Sequence, residues 1–164
     1  MKAILKINDK EIEVEVSEEQ IEKLTEKKKN PFERAETDVL FYKIDAYGDA
    51  TSCVDCGLHC DDILFKNANY CTDKDLLQQQ AYRETLNRLL WRWQHENDDP
   101  VDWGNLNTKK SSIIFNYCSK AFDTWNVFDM KEQSVVFFST NEKAEQAIKE
   151  VVKPFMQEHP DFVW

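Results

Sequence analysis

From Tyr70 to Asn97 the chain runs YCTDKDLLQQQAYRETLNRLLWRWQHEN without a single Gly or Pro. Leu77, Ala81, Tyr82, Leu86, Leu89, Leu90 and Trp93 recur at three- and four-residue spacing, which places them on one side of an α-helix. Thr72 as N-cap and Asp75 as an acid at N3 supply a start signal for that helix. A helix this long, apolar along one stripe, must bury the stripe against something, and the flanking segments read as the strands that do it.

Upstream, VLFYKIDAYGDATSC has two apolar stretches around Tyr47-Gly48-Asp49, the pattern of a β-hairpin. A third strand is expected at Ile63 to Phe65. Downstream, SIIFNYC, DTWNVF and SVVFF read as three more strands. Ser139-Thr140-Asn141-Glu142 offers a capping box, and a helix is expected to run from there to a break at Lys153-Pro154. The junction Tyr70-Cys71-Thr72 resembles Phe138-Ser139-Thr140, an offset of 68 residues between Thr72 and Thr140, so two units of antiparallel β-meander plus helix are expected, about 38–97 and 111–158.

The first 24 residues form a separate pattern. AILKI and IEVEV alternate at period two around Asn8-Asp9-Lys10, and Ser17 to Gln20 match a capping box for a short helix to about Leu24. TEKKKNP, residues 25–31, reads as a linker. The expected class is therefore α+β: an N-terminal ββα unit (1–24), a linker (25–31) and an α+β domain (32–164) of two meander-helix units. Five Trp, five Tyr and ten Phe are more aromatic surface than a disordered chain carries, so the bulk is expected to fold around a core.

SCVDCGLHCDD, residues 52–62, gathers Cys53, Cys56, His59 and Cys60. Zinc takes about four N or S ligands in a tetrahedron, and three thiolates with His59 or Cys71 as the fourth would suffice. Against that, no second CxxC pair follows, and a hairpin edge with reduced thiols accounts for the same residues. A thioredoxin-like site needs its CxxC at a helix start after a strand, and Cys53-Val54-Asp55-Cys56 is bounded by Gly and Asp. The fifth cysteine, Cys118, makes the number odd, and with no secretion signal a disulfide framework is not expected.

Acids outnumber bases by 31 to 21, for a formal charge of −10. Such a chain repels nucleic acid at long range and favours basic partners. Residues 45–62 hold Asp45, Asp49, Asp55, Asp61 and Asp62, and residues 96–102 hold Glu96, Asp98, Asp99 and Asp102. The second cluster follows a helix end, where negative charge is unfavourable, so helix stability does not explain it. A solvated loop and a surface imitating nucleic-acid phosphate both account for the acids. Trp91 lies off the apolar stripe and marks a candidate contact surface. Arg83, Arg88 and Arg92 beside Trp91 and Trp93 are the residues a nucleic-acid-binding role would use.

No enzyme motif is present: GxxxxGK[ST], GxGxxG, GxSxG and HExxH are all absent, and His59, His95 and His159 have no recognisable nucleophile beside them. No apolar run approaches a membrane span, and the protein is expected in the cytoplasm.

Four segments in order, MKAILKINDKEIEVEVSEEQ, NPFERAETDVLFYKIDAYG, NYCTDKDLLQQQAYRETLNRLLWRWQHEN and VVFFSTNEKAEQAIKE, resemble small accessory proteins encoded by prophages and other mobile elements of Firmicutes. The resemblance covers nearly the whole chain and rests on the aromatic strand entering a Thr-capped helix and on LNRLLWRWQHEN followed by an acidic loop. It implies a non-enzymatic protein that binds and inhibits a host protein, with a CRISPR effector nuclease the most specific candidate. In that group the segment matching Ser52 to Asp62 is an acidic hairpin without cysteines. A zinc-stabilised module and a nucleic-acid-binding accessory protein are the alternatives of other classes.

Overall fold

The computed structural model describes residues 2–7, 10–15 and 30–164. The chain divides into two compact units, Met1–Glu33 and Arg34–Trp164. In the first unit, β1 (Lys2–Ile7) pairs antiparallel with β2 (Lys10–Glu15), Lys2 opposite Glu15 and Ile7 opposite Lys10. The helix expected at Ser17 to Leu24 and most of the expected linker lie outside the described residues.

The second unit is α+β, as the pattern predicts. β3 (Leu40–Ile44) and β4 (Ala50–Val54) form the expected hairpin. At its tip Asp45 accepts the N–H groups of Tyr47 (2.8 Å) and Asp49 (3.2 Å), and Gly48 takes φ 90°, a left-handed value that favours glycine. A Cβ there would stand 2.7 Å from Thr85 Oγ1, so the turn also needs glycine for its close approach to the long helix. β5 (Lys110–Asn116), β6 (Ala121–Val127) and β7 (Phe137–Phe138) form a three-stranded antiparallel sheet in the order β6-β5-β7.

The segment expected as a strand at Ile63–Phe65 is helical instead, inside α1 (His59–Lys66). Three apolar residues carry too little periodicity to separate the two states, and the acids decide it. Asp61, at the third helical position, accepts the backbone N–H groups of Cys56 and Leu58, both at 3.0 Å. The third strand of the first meander is reduced to one residue, Cys71, whose N–H and C=O exchange hydrogen bonds with Tyr42 at 3.0 and 2.7 Å.

That bridge gives the two meander units one topology. In each, the first strand of a hairpin accepts a short third segment on its open edge, Cys71 beside Tyr42 and Phe138 beside Ser111, and a helix begins within two residues. The helices start one residue away from expectation. Asp73, not Thr72, caps α2 (Lys74–Asn97) by accepting from Leu76 N, and Thr140 caps α3 (Asn141–Ala147) by accepting from Lys143 N.

Pro154 does not end the last helix. α3 passes through a π-helical segment, Ile148–Val152, into α4 (Lys153–Glu158), with Pro154 in the first turn of α4. There the Lys153 N–H bonds to Ile148 O, five residues back, and this wider turn carries the helix past a residue that has no N–H to give.

α2 serves two cores. Leu77 packs with Ala50 and Cys71 of the first meander, while Leu86, Leu90 and Trp93 pack with Phe138, Ala144, Val152 and Phe162. Beneath α1, Phe41 stacks on Tyr70 at 4.0 Å and Phe65 meets Tyr70 edge-on at 5.6 Å. Lys110 is buried with its ammonium donating to the backbone carbonyls of Asn105 (2.5 Å) and Phe128 (2.7 Å), so its charge lies against peptide dipoles and the Trp103 ring.

Candidate partner-binding surface

Cys53, Cys56, His59 and Cys60 do not converge. Cys53 lies on β4, Cys56 in the turn after it, and His59 and Cys60 on the exposed first turn of α1. Among the described residues no group of three His, Cys, Asp or Glu side chains is placed to hold a metal ion. The donors point to other partners: the Cys56 thiol donates to Val54 O and the Cys60 thiol to Asp61 Oδ1. Cys71, the expected fourth ligand, is buried, and burial pushes its thiol above the usual range.

Asp55 and Asp61 organise this segment. Asp55 is 1% exposed, and its carboxylate accepts Arg34 Nε (3.0 Å) and Nη2 (3.2 Å), Tyr70 Oη–H (2.9 Å) and Gly57 N–H (2.8 Å). Arg34 also pairs with Asp62. The Arg34 guanidinium and, next, the Gly57 N–H hold the Asp55 carboxyl down at about 2. Burial and then the hydrogen bond to Asp55 push the Tyr70 phenol above its usual value. Cysteine spacing draws the eye here, yet the working polar residues are Asp55, between Cys53 and Cys56, and Asp61, just after Cys60. Arg34 and Tyr70 come from 21 and 15 residues away from Asp55, a separation that no local pattern reveals.

The expected acidic surface divides accordingly. Asp61 is buried and Asp62 is paired, so the first faces no partner and the second is already neutralised. Asp45 shapes its turn, and Asp49 stands exposed beside it. In the second cluster Asp98 is half-buried and accepts both the N–H (2.7 Å) and the hydroxyl of Ser139, tying the end of α2 to the start of α3. Asp102 turns back to accept Gly104 N–H at 2.8 Å. Glu96 and Asp99 are exposed, and among the described residues neither side chain has a hydrogen bond or ion pair.

Asp98 therefore answers the puzzle of acids after a helix end: the charge is there to be bonded by the next element. Neutralising it as Asp98→Asn is expected to cost about 1.5–3 kcal/mol in denaturant unfolding. The pair Glu96→Gln and Asp99→Asn is expected to stay within about 0.5 kcal/mol of the parent. Equal stability of all three variants would show that Ser139 does not depend on Asp98.

Trp91 is 61% exposed, with its ring edge-on to His95 at 4.8 Å. It stands at the rim of a pocket of about 330 Å³ whose walls include Pro100, Val101, Trp103 and Phe137. Trp103 meets Phe137 edge-on at 5.0 Å and carries the Lys131 ammonium 5.5 Å from its ring. Sequence spacing could single out Trp91 as off the apolar stripe; it could not bring the loop of Trp103 to it across the end of α2.

The three arginines form no continuous basic strip. Arg88 pairs with Glu84 at 3.8 Å and donates to Thr85, and Arg92 lies in a shallow groove with Glu96, Glu150 and Glu158. Arg83 faces a different pocket. No described helix is long and apolar enough to cross a membrane. No family model, no curated protein and no solved structure matches the chain.

Proposed function

We propose that this protein acts by binding: it engages a basic host protein at the C-terminal end of α2, with Trp91 as an apolar anchor and the exposed Glu96 and Asp99 of the same chain end as charges. The observation that carries the reading is the exposure of Trp91 at the rim of an aromatic pocket at the C-terminal end of α2, where the exposed Glu96 and Asp99 make no ion pair among the described residues. Tryptophan is the residue most often found where a few side chains supply most of a binding energy, and unpaired acids at a rim steer a basic partner. The resemblance to mobile-element accessory proteins narrows the partner to a host defence protein. A CRISPR effector nuclease fits the chemistry, because such an enzyme holds its nucleic acid in a positively charged channel. Inhibition would follow from occupying that channel.

The test is capture of host proteins on immobilised protein, followed by affinity measurement with the captured partner. Trp91→Ala is expected to weaken binding by about 2 kcal/mol or more, roughly thirtyfold, with folding unchanged. Binding by the parent should also fall between about 0.1 M and 1 M salt, as the Debye length drops from about 10 to 3 Å. Affinity that ignores both Trp91→Ala and salt would place the partner elsewhere on the molecule.

A further inference from the structure

A second pocket, of about 550 Å³, opens two to three turns earlier along α2. Its floor is made of core residues, Leu86, Leu90, Phe138 and Phe162, and Ile113 and Val136 close its sides. The volume lies within the range of small-molecule sites, which are mostly apolar with a few placed polar groups. One wall is the segment before β7, where Ser134 adopts φ 64°, left-handed for a residue other than glycine, and is held to α2 by Asn87 Nδ2–H donating to Ser134 O at 3.1 Å.

The charges at the mouth are unequal. Glu84 is engaged, accepting Gln80 Nε2–H at 3.0 Å and lying 3.8 Å from Arg88. Arg83 is exposed at the same mouth and, among the described residues, makes no hydrogen bond or ion pair. An apolar cavity with one uncommitted guanidinium at its opening is complementary to a molecule with a hydrocarbon body and one carboxylate. The planar guanidinium can meet both oxygens of a carboxylate at once, a geometry that a lysine at the same place could not offer.

We infer that this pocket binds a medium-sized apolar monocarboxylic acid, its hydrocarbon on Leu86, Leu90 and Phe138 and its carboxylate on Arg83. Val135 and Val136 line both this pocket and the Trp91 pocket, but Arg83, Leu86 and Ile113 line this one alone. A single cation favours a single negative charge, the floor is apolar, and of the polar side chains in the wall Gln80 donates to Glu84 and Asn87 to the Ser134 carbonyl.

Calorimetric titration with decanoate and with decanol, each below its aggregation limit, tests the assignment. One decanoate should bind per chain, more tightly than decanol. Arg83→Gln should weaken decanoate about tenfold or more and leave decanol unchanged. Because Arg83 is exposed, that variant is expected to fold; Ile113→Trp, at a position that lines this pocket and not the Trp91 pocket, should weaken the binding of both ligands. Amide shifts on decanoate addition should centre on Leu86, Asn87, Ile113 and Val136. No saturable binding, many molecules per chain, or an Arg83→Gln variant that binds decanoate as the parent does would overturn the proposal.

Discussion

Phe138→Ala is expected to lower the free energy of unfolding by about 3–5 kcal/mol, a large part of the 5–15 kcal/mol that a domain of this kind has in total. Phe138 is fully buried in the cluster that joins α2, the sheet and the last helix, with its ring 5.9 Å from Trp93. It is also half of β7, paired with Ser111, and immediately precedes the Ser139 that Asp98 holds. Truncation removes the packing of a large ring and loosens a two-residue strand that has little else to fix its register. Denaturant unfolding should show a lower midpoint with an unchanged slope. Trp125→Ala, which removes a larger ring that is 56% exposed on β6, serves as the contrast and should change stability far less. A loss below about 1 kcal/mol for Phe138→Ala would mean that this core closes over the missing ring.

Asp55→Asn is expected to lower the melting temperature at neutral pH by roughly 10 °C. The substitution keeps the shape and removes the charge that Arg34 meets with two N–H groups. One of the two positions facing Arg34 or its neighbours then becomes an amide donor set against donors. The pH dependence has a definite sign. The Asp55 carboxyl is held down at about 2 in the fold, against 3.8 for an ordinary aspartate, so its contribution is fully present above about pH 4 and is lost as the pH falls towards 2. The difference in melting between parent and variant should accordingly be constant from pH 7 to about 5 and shrink below about 4. A variant that melts with the parent at pH 7 would show that the segment from Cys53 to Cys60 is fixed by something other than the Arg34–Asp55–Tyr70 network.

Elements set by local pattern were legible before any coordinates. The hairpins follow from alternation, and α2 from an uninterrupted stripe between an acid-rich start and an acid-rich end. The likeness of the Tyr70 and Phe138 junctions pointed to one topology used twice, at an offset of 68, but the register is one residue off: Cys71, not Tyr70, occupies the position equivalent to Phe138. Ile63–Phe65 is helical where a strand is expected because a short apolar run alone does not separate the two states; Asp61 and Asp62 before it are the signal for a helix start. Pro154 reads as a stop in sequence, since a π turn that carries a helix into a proline leaves no mark in composition.

The site was less legible for a single reason: whether an acid is surface or structure depends on its distant partners. Asp98 and Asp55 are alike in sequence to Asp99 and Asp49, and only Ser139, Arg34 and Tyr70 distinguish them. The same holds for the cysteines, whose spacing fits a metal until β4 and α1 carry them apart. Trp91 needed no distant partner to be noticed, because helical spacing alone puts it off the buried stripe.

Gln79 on α2 donates to the carbonyl of Asp161 at 2.8 Å and accepts the N–H of Val163 at 2.8 Å. With Phe155 and Phe162 packed in the same core cluster, the cover of α2 comes from residues that follow it far along the chain. At about 5–20 residues per second, Leu86, Leu90 and Trp93 leave the exit tunnel seconds before the residues that shield them. During that interval a nascent chain presents an apolar helix face of the kind that chaperones hold, and the arrival of the covering residues, not the formation of α2, sets the moment at which this fold can close.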